Sequence, residues 1–151
     1  MHQKFLELAI DLAIGNVKSN KGGPFGAIIV KNNKIISSAT NSVIIDNDPS
    51  AHAELNAIRK ACKELNTPFL DDCTIYSSCE PCPMCYAAIR WAKIEYIYYS
   101  NTRLECKNIG FDDNKIYKEI IDNKQNMIQI KPYNSKIPFL LWKDNVDKIE
   151  Y

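Results

Sequence analysis

Two short motifs, each placed where a helix is predicted to begin, limit how this chain can fold. They are His52-Ala53-Glu54 and Pro81-Cys82-Pro83-Met84-Cys85, separated by about one β-strand and its turns. Cys82 and Cys85 are three positions apart, so they lie on the same side of one helical turn and can hold one ion together. His52 and Glu54 can face one point only from a helix end, because in mid-helix they would point about 200° apart. The fold must therefore bring two helix starts together.

These residue types predict a catalytic zinc site with His52, Cys82 and Cys85 as ligands. Zinc is bound tetrahedrally by imidazole nitrogen and thiolate sulfur, and a catalytic site leaves one position for water. Helix N-termini favour negative charge and so help both cysteines to remain thiolates. Two thiolates nearly cancel the charge of the ion, so the water needs a neighbouring base. Glu54 is predicted to be that base, passing the proton to the substrate nitrogen and the leaving group.

Cys79 leaves another interpretation of the metal site open. It lies three residues before Cys82, so the spacing also allows a closed shell of one histidine and three cysteines. Such a site would be structural, and the chain would be a non-catalytic, zinc-stabilised interaction domain. That alternative leaves Glu54 without a role, and the open site is preferred for this reason.

Length and charge narrow the class of protein. A chain of 151 residues predicts a single domain over 1–151 with a sizeable core. The 19 basic and 18 acidic residues give a net charge of +1, which argues against nucleic-acid and membrane partners. Charges interrupt the first apolar run, so no secretory signal or membrane span is predicted and a cytoplasmic location is expected. In a reducing compartment, clustered cysteines beside a histidine indicate a metal site before disulfides.

Apolar periodicity and turn residues predict an α/β fold. The predicted elements are a helix with Phe5 to Val17 on its apolar face, a hairpin of strands 27–30 and 35–40 turning at Asn32-Asn33, a helix capped by Asp48 with Pro49 first and ending near Asn66, a strand at 74–76, a helix from Cys82 through Trp91, and a strand at 94–99. Beyond residue 107, a helix at 115–121, a strand at 127–130 and a helix at 139–146 are expected. This order implies a sheet covered by helices, with the later strands parallel and the site at one edge of the layer.

The two motifs together match the H-x-E and P-C-x-x-C signature of zinc-dependent base deaminases. The sequence resembles the cytidine and deoxycytidylate deaminase superfamily and, within it, the bacterial-type guanine deaminases. Further parts of the resemblance lie at Gly23 to Ala27, Asn47 to Pro49, Ser78 to Pro81, Gly110 to Asp113, Ile116 to Glu119, and Glu150-Tyr151. These positions span almost the whole chain.

The resemblance implies a three-layer α/β/α sandwich with a central mixed sheet, a bound Zn²⁺ ion and release of ammonia from a nucleobase. For guanine, water would attack C2, Glu54 would protonate N3, and xanthine would remain. The resemblance also implies substrate contacts by Asn41, Phe25, Ala53 and Tyr151, and it places Asp113 near the base as a second catalytic residue beside Glu54. A carboxylate suits that position because it accepts hydrogen bonds, and guanine offers an amino group and a ring N–H. A homodimer is expected, with the C-terminal segment exchanged so that Tyr151 serves the partner's site.

Some of these assignments have simpler alternatives. Asn41 could be an ordinary strand-end residue, and Asp113 an exposed helix cap. Trp91 and Trp142 are expected to be core or interface anchors. The rival enzymes are a cytosine deaminase and a tRNA adenosine deaminase. The tRNA adenosine deaminase would share the metal site but must also bind an RNA loop. The near-neutral charge argues against RNA, because phosphate contacts require clustered Lys and Arg.

Overall fold

A four-stranded mixed sheet forms the centre of the molecule. The computed structural model describes residues 2–122 and 127–149. Its strands are β1 (Gly26–Lys31), β2 (Lys34–Thr40), β3 (Cys73–Cys79) and β4 (Tyr96–Asn101), in the spatial order β2-β1-β3-β4. β1 is antiparallel to both of its neighbours, whereas β3 and β4 are parallel, as predicted for the later strands. The helices are α1 (His2–Lys18), α2 (Val43–Asp46), α3 (Ala53–Leu65), α4 (Pro83–Trp91), α5 (Arg103–Asn108), α6 (Asn114–Ile121) and α7 (Ile137–Asp144).

Alternating side chains of the strands create an apolar cluster on each face of the sheet. Ile28 of β1 packs with Phe5 of α1 on one face. Its neighbour Ile29 points to the opposite face, where it belongs to the cluster that contains Ala57 of α3 and Ile89 of α4. This division follows from the two-residue period of a β-strand. With α1 on one side and α3 and α4 on the other, the predicted three-layer α/β/α fold is confirmed.

The predicted hairpin is confirmed in position and turn chemistry. Asn32 and Asn33 have φ values of 49° and 62°, and they connect β1 to β2. Positive φ at both central residues is the requirement of a type I′ turn, and asparagine tolerates it better than most residues. The hairpin brings β2 to the outer edge of the sheet, away from β3 and β4.

The start of α3 corrects one prediction and confirms another. Asp48 does not cap this helix with Pro49 as its first residue. Its carboxylate instead accepts hydrogen bonds from the backbone N–H and the hydroxyl of Ser50, at 2.7 and 2.6 Å, and so closes a turn before the helix. α3 begins at Ala53, with His52 in extended conformation at the N-cap. His52 therefore lies at a helix end, as its spacing from Glu54 requires.

The last third of the chain differs most from prediction. The strand expected at 127–130 is wrong, because these residues have no regular structure, whereas α6 and α7 lie close to the predicted helices. α5 was not predicted, although Thr102 and Glu105 form a capping box at its start. Every residue from 127 to 147 is exposed. Within the two described segments, no helix is both long and apolar enough to cross a membrane.

Candidate active site

The three predicted metal ligands meet between two helix starts. His52 is the N-cap of α3, Cys82 is the N-cap of α4, and Cys85 lies in the first turn of α4. His52 Nδ1 is 3.6 Å from Cys82 Sγ and 3.4 Å from Cys85 Sγ. One donor atom from each residue lies within 4.8 Å of the other two. The structure thus brings together the ligands that sequence spacing proposed.

This geometry fits a tetrahedral zinc ion. Zinc lies about 2.3 Å from thiolate sulfur and about 2.0–2.1 Å from imidazole nitrogen, and tetrahedral angles then place nitrogen and sulfur about 3.5 Å apart. Both nitrogen–sulfur distances agree with that value. One nitrogen and two sulfurs are also the donor types that suit zinc, and they leave one tetrahedral position for water.

Cys79 does not belong to this ligand group. Its thiol donates to the carbonyl oxygen of Thr102, with a sulfur–oxygen distance of 3.8 Å. Burial, together with the nearby Cys106, raises the pKa of Cys79 to about 12, so the group is a neutral thiol at neutral pH. The donor atoms that lie close to one another belong to His52, Cys82 and Cys85, and Cys79 is not in that group. The closed site of four ligands is therefore disfavoured.

The two cysteine ligands differ in how readily they ionise. Hydrogen bonds from Cys85 and His52 lower the pKa of Cys82 to about 4. Donating that hydrogen bond and being buried raise the pKa of Cys85. The hydrogen bond with Cys82 also raises the pKa of His52. The protein thus prepares one thiolate, and the charge of a bound cation favours ionisation of the second.

Glu54 lies beside the ligands, and a hydrogen bond from Ser77 holds its carboxylate. The residue is 5% exposed, and its Oε1 accepts a hydrogen bond of 3.0 Å from the hydroxyl of Ser77. Its Oε2 is 3.5 Å from Cys85 Sγ. Burial raises the pKa of Glu54, and a cation in the site would act in the opposite direction. These opposing effects suit a group that accepts a proton and returns it.

A cavity of about 230 Å³ opens directly onto this centre. One wall consists of Phe25 and Phe111, whose rings meet edge to face with centroids 4.9 Å apart. The remaining lining comes from His52, Glu54, Cys79, Glu80, Cys82, Arg103, Cys106, Asp112, Asp113 and Ile116. The size is slightly below the range of about 300–1,000 Å³ that is typical of drug-sized pockets, which favours a small ligand.

Asp113 lies in the cavity wall and is not the simple helix cap of the alternative interpretation. It occupies the position before α6, but its side chain makes no capping hydrogen bond. The neighbouring Asp112 instead accepts from the backbone N–H of Asn114 at 3.0 Å. Asp113 accepts a hydrogen bond of 3.2 Å from Arg103 Nε. Its carboxylate is therefore held at the cavity and not turned back onto its own helix.

The other residues predicted to contact substrate are Asn41, Ala53 and Tyr151, and the described residues that line the cavity do not include them. The backbone N–H of Asn41 donates to the Phe25 carbonyl oxygen at 3.2 Å, and its side-chain oxygen accepts a 3.1 Å hydrogen bond from Asn16. Ala53 is fully buried as the first residue of α3. Neither residue is among those lining the cavity. Tyr151 lies outside the described residues, so its contact with substrate stays a prediction.

Three residues of the site were assigned no role from sequence: Ser77, Arg103 and Phe111. Ser77 could have been suspected, because it is a polar residue in β3, whose side chains are otherwise mostly buried. Phe111 lies in the Gly110 to Asp113 motif that supports the resemblance, but the motif alone does not show that its ring forms part of the cavity wall. Arg103 gave no signal, because its partners are ten and eleven residues away in another helix.

Comparison with known proteins gives one consistent family. Residues 1–101 match the cytidine and deoxycytidylate deaminase zinc-binding region. The chain is 45% identical to the guanine deaminase of Bacillus subtilis (strain 168) over 154 aligned positions, which cover 99% of each sequence. An X-ray structure of guanine deaminase from Bacillus subtilis superimposes with a TM-score of 0.95 and 44% identity, covering 100% of this chain and 99% of the other.

A second group of relatives is similar over a shorter length. The tRNA-specific adenosine deaminase of Aquifex aeolicus (strain VF5) is 51% identical, but over only 77 residues, or 51% of each chain. Likeness to that enzyme is therefore local, whereas likeness to the guanine deaminase extends over the entire sequence.

Proposed function

This chain belongs to the cytidine and deoxycytidylate deaminase family, and we propose that it is a zinc-dependent guanine deaminase, which converts guanine and water to xanthine and ammonia. The observation that carries this proposal is the full-length likeness to a guanine deaminase, including the region after residue 101 that supplies half of the cavity wall. The zinc ligands and Glu54 are common to several deaminases, so they define the chemistry and not the base.

His52, Cys82 and Cys85 would hold the ion, which lowers the pKa of water and so makes it a nucleophile at neutral pH. Glu54 takes a proton from the attacking water and delivers it to N3 of the base. The same carboxylate then carries the proton of the hydroxyl group now on C2 to the leaving amino group, so that C2 becomes a carbonyl and the C2–N bond breaks to release ammonia. Ser77 keeps the carboxylate in place during both transfers, because it donates to one oxygen and leaves the other for the reaction.

Substrate binding falls to the residues around the cavity. Phe25 would cover the flat face of the purine, and Asp113 would accept hydrogen bonds from its donors. The amide of Asn41 and the backbone of Ala53 would contact the edge of the base, and this part of the proposal rests on the family resemblance, because neither residue lines the cavity. Tyr151 would complete the pocket from the C-terminal segment of a partner subunit.

We also propose that the protein is a homodimer with exchanged C-terminal segments. α7 carries Phe139, Leu141 and Trp142, with exposed fractions of 78%, 68% and 45%. On the same chain, Trp91 at the end of α4 and Tyr96 at the start of β4 are 69% and 56% exposed. Two apolar surfaces exposed on one chain could be buried together if two copies exchange their C-terminal segments, and this supports the proposed dimer.

We also propose that the enzyme is located in the cytoplasm. A metal site with two thiolate ligands suits a reducing compartment.

Ammonia release from a panel of substrates tests the proposed activity. The zinc-loaded protein should release ammonia from guanine and not from cytosine, adenine or a tRNA anticodon stem-loop containing adenosine. Conversion at C2 predicts xanthine as the product, which liquid chromatography distinguishes from hypoxanthine and uracil. Deamination of the stem-loop without turnover of guanine would contradict the proposal and favour the tRNA-specific enzyme.

A further inference from the structure

We propose that Arg103 is the residue that positions Asp113 for recognition of the base, an inference that rests on the proposed guanine deaminase function. Arg103 touches neither the zinc ligands nor Glu54 by any hydrogen bond in the structure's described residues. It acts by fixing one oxygen of the Asp113 carboxylate and leaving the other for the donors of the substrate.

The guanidinium of Arg103 is anchored on three sides at the cavity wall. Its Nε donates to Asp113 Oδ1 at 3.2 Å, and its Nη2 donates to the side-chain oxygen of Asn114 at 2.9 Å. Its central carbon lies 3.4 Å from the ring centroid of Tyr117. Two directed hydrogen bonds and a stacked aromatic ring together fix the plane of a guanidinium, which an ammonium group could not match. Arg103 thus joins the start of α5 to the first turn of α6.

The backbone of the same residue is tied to the chain that leads into the metal site. The Arg103 N–H donates to Glu80 Oε2 at 3.0 Å, and Glu80 is followed by Pro81 and the ligand Cys82. Asp113 is therefore connected to the zinc ligand Cys82 through its hydrogen bond with Arg103 and the hydrogen bond of Arg103 with Glu80. This connection matters because the carboxylate must lie at a fixed distance from the carbon that is attacked.

Burial and charge favour a functional ion pair over an ordinary surface contact. The side chains of Arg103 and Asp113 are 29% and 21% exposed. The neighbouring ion pair of Lys107 with Asp112 connects the same two parts of the chain, but both side chains are 45% exposed. Lys107 does not line the cavity. Its partner Asp112 is also part of the cavity wall, so replacing Lys107 tests whether loss of any ion pair between these two parts of the chain has the effect of losing Arg103.

Steady-state kinetics on three variants test the inference. Arg103→Gln should raise the KM for guanine at least tenfold with a smaller effect on kcat, because Asp113 loses its orientation while zinc and Glu54 remain. Arg103→Lys should recover only part of this loss, since lysine cannot bind Asp113 and Asn114 in one plane. Lys107→Gln should change both parameters much less than Arg103→Gln, because it leaves Asp113 and its hydrogen bond to Arg103 in place. Equal kinetics of Arg103→Gln and the wild type would overturn the inference.

A double-mutant cycle with Asp113→Asn separates a positioning role from a general structural one. If Arg103 acts through Asp113, adding Arg103→Gln to Asp113→Asn should cause little further loss of kcat/KM. Multiplicative losses, or loss of zinc or of thermal stability in both Arg103 variants, would overturn the inference. Guanine turnover by the wild type is measured first, so that failure of the proposed function is seen separately. Full activity of Asp113→Asn would overturn the inference without affecting the activity itself.

Discussion

Among single residues, Glu54 is the one proposed to carry the proton transfers, and its replacement should stop the chemistry without emptying the metal site. Glu54→Gln keeps the shape of the side chain and can still accept the Ser77 hydrogen bond, but it cannot carry a proton. We expect kcat for guanine to fall by a factor on the order of 10²–10⁴, while metal analysis still finds zinc. Glu64→Gln, at an exposed position of the same helix, is the control and should behave as the wild type. Loss of zinc in Glu54→Gln would show that Glu54 supports the metal instead.

The distinction between a catalytic and a structural zinc site also depends on single residues. Because the Cys79 thiol is hydrogen-bonded to the Thr102 carbonyl oxygen and lies outside the ligand group, Cys79→Ser should retain zinc and most of the activity. Cys82→Ser should lose zinc affinity and activity together, because it removes one of three ligands. Zinc content and thermal unfolding of both variants can be measured in parallel. If Cys79→Ser releases zinc and unfolds, the closed four-ligand site is correct and the hydrolytic assignment is wrong.

At the scale of secondary structure elements, the packing of α1 on the sheet depends on a glycine at the start of β1. A Cβ atom at Gly26 would come closer to the carbonyl oxygen of Ala9 than any real contact and within 2.9 Å of the Leu12 Cβ. Part of this obstacle is helix backbone, which cannot move aside without displacing α1. We expect Gly26→Ala to lower the free energy of unfolding by roughly 1–3 kcal/mol, as overpacking does.

Gly15 provides the matched control for this prediction. It lies within α1, and a Cβ atom there would meet nothing within 4 Å. Gly15→Ala should therefore raise the free energy of unfolding by up to about 1 kcal/mol, because alanine favours the helix. Urea denaturation of both variants measures the two changes. Equal stability of Gly26→Ala and the wild type would show that α1 is not held as closely as the structure indicates.

Sequence predicted those elements whose signals are local. The turn at Asn32-Asn33 and the positions of His52, Cys82 and Cys85 at helix starts follow from short-range rules, and the structure confirms them. The start of α3 was misjudged because aspartate before proline stabilises a tight turn as well as a helix cap. The strand at 127–130 was wrong because an apolar alternating run forms a strand only where a sheet edge pairs with it. Contacts such as Arg103 with Asp113 depend on how two helices meet, which spacing does not encode.

Across the molecule as described, burial of side chains is divided unevenly between the first two thirds of the chain and the last. The sheet, α1, α3 and α4 enclose both apolar clusters, whereas no residue of α5, α6 or α7 is buried. A single domain over 1–151 stays a prediction, and in the proposed homodimer the exposed apolar residues of α7 would pack against another copy of the chain. A dimer would bury these surfaces and bring a second C-terminal segment to each cavity.

Mixing two defective variants tests this exchange directly. Glu54→Gln lacks the proton carrier, and Tyr151→Ala lacks the residue predicted to serve the partner's pocket, so each homodimer should be nearly inactive. If segments are exchanged, a mixed dimer has one site with both Glu54 and Tyr151 intact. Random reassociation of equal amounts should then restore about a quarter of wild-type activity, since half of the dimers are mixed and each has one good site of two. Without exchange, each site is built from one chain and carries that chain's substitution, so every site is defective and no activity returns. Native mass spectrometry of the mixture, with one variant isotope-labelled, establishes that mixed dimers have formed, so that a lack of recovery can be assigned to unexchanged segments.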